Sequence, residues 1–249
     1  MALEIRIAVL GNAGAGKTTT LNALLRDNYG GAVMSKRKAT DVIAYSVNVD
    51  GAANDENKNV IGDLETLTDE TFQFGEEYVH ELTYKINIAE QLTEMHKNTQ
   101  ITFVIVPGIS EEDGDKYTKY ITEKWETYDA VLVVIDGHKG ITDDDVALLK
   151  NVKENQERRQ VPLSILCNKI DNAENEKLAR HVKKAKSKVE KIFGKEEDGE
   201  TSETPTNPSF IPVSSLHAYI HRAGARRTVY EFEDFDKDLM ELIGKEQFG

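Results

Sequence analysis

An α/β fold is what this sequence predicts: a three-layer sandwich in which helices cover both faces of a mostly parallel sheet of six strands or slightly more. Two patterns carry that expectation. Short apolar runs alternate with longer amphipathic stretches, and the first run leads through a glycine-rich loop straight into a helix. With 249 residues, 39% of them hydrophobic, the chain is long enough for one sizeable core, so a single domain over residues 1–249 is expected.

The apolar runs are Ile5 to Leu10, Val42 to Val49, Ile101 to Val106, Ala130 to Ile135, Leu163 to Cys167 and Phe210 to Val213. Each is read as a strand, because runs of this length between polar punctuation suit a buried sheet. Between them, Tyr78, Leu82, Ile86 and Ala89 recur at helical spacing, as do Leu178, Val182, Ala185, Val189 and Ile192. Phe232, Phe235, Leu239, Leu242 and Ile243 repeat the pattern near the end. Surface insertions are expected near residues 50–62, rich in Asn, Asp and Gly, and near 194–208, acidic with Ser, Thr and Pro.

Net charge of −13 argues against broad nucleic-acid binding, which needs a positive surface to displace counterions. The one cysteine, Cys167, cannot form an internal disulfide, and no apolar run has the length of a membrane span. The opening MALEIRIAVLG enters a strand without the long apolar segment of a secretory signal. A cytoplasmic protein is expected. Membrane contact has no support in this chain: the lysines at 183, 184, 186, 188 and 191 are accompanied by Glu174, Glu176 and Glu190 and read as a solvated face.

After the first run comes Gly11-Asn12-Ala13-Gly14-Ala15-Gly16-Lys17-Thr18, and the helix continues from Thr19. Glycines let successive N–H groups converge on a phosphate and the helix N-terminus adds its dipole. Lys17 then reaches the outer phosphates, and Thr18 can bind Mg²⁺. The loop does not choose between ATP and GTP. That choice falls to Asn168-Lys169-Ile170-Asp171 after the fifth run, which resembles the NKxD element of GTP-binding proteins. There the aspartate accepts hydrogen bonds from guanine N1 and its exocyclic amine, a pattern adenine lacks. Pro212-Val213-Ser214-Ser215-Leu216 resembles the serine-bearing loop that closes over the base in the same proteins.

With those three elements in order, the chain resembles a P-loop GTPase of the translation-factor class, and within it the GTPase domain of the dynamin-like large GTPases. The finer resemblance rests on Lys36-Arg37-Lys38 before Thr40, the extended insertion between that threonine and Pro107-Gly108, and Val131 to Asp136 followed by Gly137. Arg222 and the closing helix add to it. The resemblance implies bound GTP or GDP with Mg²⁺, Thr40 as a switch threonine contacting metal and γ-phosphate, and Gly108 as an N–H donor to that phosphate. It also implies pairing of two copies across their nucleotide faces.

Two departures stand out. Relatives commonly carry a polar residue where this chain has Gly14, and an acid holding a Mg²⁺-bound water where it has Ile105. For Ile105 three explanations stand open: a natural variant that hydrolyses poorly, substitution by another acid such as Asp136 or the Glu111-Glu112-Asp113 run, or a shifted alignment. Because Thr18 and the phosphates still hold the metal, binding is expected to survive better than turnover. Three functions follow: a GTP switch with slow or pairing-dependent hydrolysis, a nucleotide-binding interaction module without significant hydrolysis, and an ATP-dependent enzyme that leaves Asn168 to Asp171 unexplained.

Overall fold

The computed structural model describes residues 3–25, 42–48, 65–74, 77–87, 99–108, 114–171, 175–194 and 208–225. Its strands are β1 (Leu3–Leu10), β2 (Val42–Asn48), β3 (Glu65–Phe74), β4 (Glu77–Asn87), β5 (Thr99–Ile105), β6 (Ala130–Asp136), β7 (Leu163–Asn168) and β8 (Ser209–Pro212). The helices are α1 (Lys17–Leu25), α2 (Gly114–Lys124), α3 (Asp143–Arg158), α4 (Glu176–Phe193) and α5 (Ser215–Ala225), with a 3₁₀ turn at Trp125–Thr127. They form one eight-stranded sheet in the order β3-β4-β2-β5-β1-β6-β7-β8. β1 lies parallel to β5 and β6, and β6, β7 and β8 continue in parallel. β2 runs antiparallel to β5 and parallel to β4, while β3 and β4 form an antiparallel hairpin.

All six expected strands are present, and the sheet is larger by that hairpin. The helix expected from Tyr78, Leu82 and Ile86 is instead β4, with Ala89 outside the described residues. A spacing of four residues satisfies the two-residue period of a strand as well as the helical one. Alternation decides it here: Tyr78 is 54% exposed, whereas Val79 and Glu81 are buried. The expected insertion near 50–62, nearly all of that near 194–208, and the pattern from Phe232 to Ile243 also lie outside the described residues.

Central strands fill both faces of the sheet, as parallel strands under helices do. Ala8 and Leu10 of β1, Val104 of β5 and Val131, Val133 and Ile135 of β6 join the larger core, with Tyr120, Trp125, Leu148, Val152, Ala185, Val189 and Phe193. The intervening Val9, Ile105 and Val134 face the other way, against Ala15, Leu21, Ile43 and Tyr45. Cys167 of β7 sits in the larger core, where burial first, then the charges of Asp136 and Asp145, push its thiol up to about 11. None of the described helices is long and apolar enough to cross a membrane.

A polar cluster joins the hairpin to the rest. Glu81 of β4 accepts from the Arg6 guanidinium of β1 and from the Tyr120 hydroxyl of α2 at 2.5 Å. Burial works against the Arg6 charge, but Glu81 more than offsets it and holds the guanidinium protonated. Burial is also the main reason the Tyr120 phenol is pushed well above its usual range, with nearby Tyr128 and Glu81 adding to it. The rings of Phe72 and Phe74 meet Tyr120 edge-on, and the Lys124 ammonium lies over Phe72 at 3.6 Å from its centroid. With Arg6 28% exposed, Glu81→Ala is expected to lower unfolding free energy by about 2–4 kcal/mol in urea titration, because it leaves a half-desolvated cation unpaired. Replacing the pair together, Arg6→Met with Glu81→Leu, should recover most of that loss. A double variant as unstable as Glu81→Ala would show that the charge pairing is not what matters.

Candidate functional site

Because β1, β6, β7 and β8 run parallel, their carboxyl ends meet at one edge of the sheet, where open α/β sheets bind ligands. Four loops converge there. The first is residues 11–16, between β1 and α1. Lys17, 8% exposed, turns its ammonium back over this loop and donates to the carbonyls of Gly11 at 2.7 Å and Asn12 at 3.1 Å. A cation bonded to two carbonyls of a loop that leads into a helix N-terminus is suited to phosphate. Thr18 is half-buried in the first turn of α1, and Thr19 follows it. Gly14 has φ +74° with open space around it, so a side chain there would meet backbone strain rather than a neighbour.

The second loop carries Pro107 and Gly108 beyond β5. Gly108 lies so close to the phosphate loop that a Cβ on it would collide with the backbone of Ala13 and Asn12. No other residue fits against the loop at this distance. Ile105, the last residue of β5, is 4% exposed inside the smaller apolar cluster. Its place between Ala15 and Leu21 of the phosphate-loop side and Ile43 and Tyr45 of β2 gives the residue a packing role. At the end of β5 the faces alternate, Phe103 and Ile105 meeting the smaller cluster and Val104 and Val106 the larger.

The third loop follows β7. Asn168 is 2% exposed and splits its amide between two segments: Nδ2 donates to Ala15 O at 3.0 Å, and Oδ1 accepts from Ser215 N at 2.9 Å. Gly16 permits this, since a Cβ there would strike Asn168 Nδ2. Lys169 adopts the left-handed region at φ 66°, uncommon for a side chain this long. Its ammonium does not enter the phosphate loop but donates to Asp136 Oδ2 at 2.6 Å. Burial alone would raise the Asp136 pKa; the Lys169 bond and the N–H groups of Lys139 and His138 outweigh it and hold the carboxyl below its usual range. The acid at the end of β6 is therefore a brace for the third loop.

From the fourth loop, after β8, the Ser214 hydroxyl donates to Asp171 Oδ1 at 2.5 Å and itself accepts from His217 N at 3.2 Å. Asp171 remains exposed, with His138 Nε2 at 4.0 Å from its other oxygen. The Ser215 hydroxyl shares a bond with Thr20 of α1 at 2.8 Å, which ties α5 to the helix below the phosphate loop. An ammonium at a phosphate cradle and a carboxylate steadied by a serine thus stand on neighbouring loops, joined through one asparagine. Thr40, Lys36 to Lys38 and Glu111 to Asp113 lie outside the described residues, as does the Arg222 side chain.

Sequence reasoning missed Asp145. It sits in the first turn of α3, buried, and accepts from the Asn12 side chain at 2.7 Å across 133 positions of sequence. Thr142-x-x-Asp145 is legible as a helix-capping box, and α3 does begin with one. Nothing in that motif points to the phosphate loop.

Residues 4–244 match the family described as the elongation factor Tu GTP binding domain. GTPase Era of Mesorhizobium japonicum is 33% identical over 97 residues, 38% of this chain and 30% of that protein, so the chain spans less than a third of the length of this curated relative. A bacterial dynamin pair described as sensing and tethering membranes superposes with a TM-score of 0.56 at 15% identity, covering 98% of this chain and 44% of that one. Era in complex with MgGDPNP and nucleotides of 16S ribosomal RNA gives a TM-score of 0.43 at 18% identity, over 87% and 53% of the two chains. With nearly its whole length accounted for by that one match, this chain belongs to the elongation factor Tu GTP-binding domain family.

Proposed function

We propose that the chain binds GDP and GTP with Mg²⁺ and hydrolyses GTP slowly or when two copies pair across their nucleotide faces, in the manner of dynamin-like proteins. One observation carries the nucleotide part. Asn168 bonds both the phosphate loop at Ala15 and the base loop at Ser215, which supports reading Lys17 and Asp171 as the two ends of one site. Lys17 would exchange its bonds to Gly11 O and Asn12 O for phosphate oxygens, a trade of neutral acceptors for charged ones. Asp171, with Ser214 on one oxygen, presents acceptors to a guanine N1–H and amine.

Thr18 offers a hydroxyl oxygen, the hard donor that Mg²⁺ takes alongside phosphate oxygens and water. In our reading the protein's share of such a metal site rests on Thr18 and Thr40. The ion would neutralise charge that develops on the phosphates. Gly108, held against the phosphate loop, would offer its N–H to the outermost phosphate.

The dynamin-like branch draws on the hairpin of β3 and β4 added to the sheet edge, and on the fold likeness to the bacterial dynamin pair over almost the whole chain. A second reading, a nucleotide-binding interaction module with negligible turnover, is favoured by Ile105, whose packing leaves no carboxylate at that position. Net charge of −13 weighs against RNA as a partner of this chain, although Era has been seen with it.

Asp171→Asn is expected to weaken GDP binding about a hundredfold and to favour a xanthosine nucleotide, whose 2-carbonyl accepts from the new amide. Fluorescent-nucleotide titration checks it, and undiminished GDP affinity would remove the guanine assignment. Phosphate release per molecule of protein should rise with protein concentration if pairing completes the active site; a background trace at every concentration selects the passive module. Ile105→Asp should cost about 3 kcal/mol of stability, read as a lower melting temperature, because it places a carboxylate in an apolar cluster. We expect turnover not to rise in that variant; a clear increase would show that the missing acid limits hydrolysis.

A further inference from the structure

We propose that Asp145 is a positioning residue for the phosphate loop, acting through the side chain of Asn12. The inference rests on the nucleotide-binding reading above and adds a residue to it that no motif contains. Asp145 is 3% exposed and its two oxygens are divided between two tasks. Oδ2 accepts from the Thr142 N–H at 2.9 Å and the Thr142 hydroxyl at 2.7 Å, closing the cap of α3. Oδ1 accepts from Asn12 Nδ2 at 2.7 Å. Burying a carboxylate is tolerated only when its lone pairs are met, and here the helix cap supplies two of the donors and the phosphate loop the third.

The amide of Asn12 has one sensible orientation, since its oxygen cannot face a carboxylate at this distance. What Asn12 does with its backbone gives the tether its meaning. Asn12 O accepts from the Lys17 ammonium at 3.1 Å and from Ala15 N at 3.2 Å, so it sets both the resting place of the cation and the turn of the loop. The same residue forms part of the wall on which Gly108 rests. A displaced Asn12 therefore shifts the ammonium, the converging amides and the seat of Gly108 together. Small displacements of such groups carry large effects on binding and rate.

Asn12→Ala removes the tether and leaves the cap of α3 intact, Thr142→Ala weakens the cap and leaves the tether, and Asp145→Ala removes both. With a fluorescent GDP analogue and Mg²⁺, Asn12→Ala and Asp145→Ala should each weaken affinity about 10- to 100-fold, the value of a charge-assisted hydrogen bond, chiefly through faster dissociation. The double variant should be no weaker than the weaker single one, because both act on one bond. Thr142→Ala should lower the melting temperature yet bind within about twofold of the unaltered protein. Wild-type affinity in Asn12→Ala, multiplying losses in the double variant, or an equal loss in Thr142→Ala would each overturn the assignment. Failure of the unaltered protein to bind GDP would instead remove the nucleotide reading itself and this inference with it.

Discussion

Asn168 is the contact on which the nucleotide site depends. Two loops that follow strands far apart in sequence have no covalent reason to stay in register, and backbone groups at their tips would otherwise face water. One buried amide meets a carbonyl on the first and an N–H on the second, satisfying both with a single side chain. A carboxylate here could not donate and an ammonium could not accept, so the residue type follows from the geometry. Around it the smaller residues fall into place: Gly16 is bare so that the amide can approach, and Lys169 takes a left-handed backbone so that its own side chain turns outward to Asp136.

Much of this architecture is legible in the sequence. Short apolar runs with Val and Ile at successive positions announce strands covered on both faces, and each of the six became one. The phosphate loop and the base loop were legible for a stronger reason: their chemistry is local, written in contiguous residues whose spacing sets backbone conformation. α4 was equally plain, with Leu178, Ala185 and Val189 buried on one stripe and Asn175 capping it through bonds to Lys177 N and Leu178 N.

What escaped was ambiguous in period or nonlocal in space. β3 carries Thr, Asp and Glu ahead of Phe72 and Gln73 between Phe72 and Phe74, so it has no apolar run to notice, and β4 spaces its large residues by four, which two geometries share. Glu81 reads as a surface acid until Arg6 and Tyr120 surround it. The bond from Asn12 to Asp145 belongs to the same class, because nothing at either position reveals the other. Ile105 was misleading in a different way: its oddity shows when it is compared with a motif, and its reason shows when it is seen among Ala15, Leu21 and Ile43.

Burial of Cys167 has a practical consequence. Cys167 is the single thiol of the chain, enclosed in the core of β7 and poorly ionised at neutral pH. Maleimide dyes and crosslinkers should pass it by, so a cysteine engineered at a surface position would be the sole labelling point. Spectroscopic distance measurements could then be made on an otherwise unaltered background.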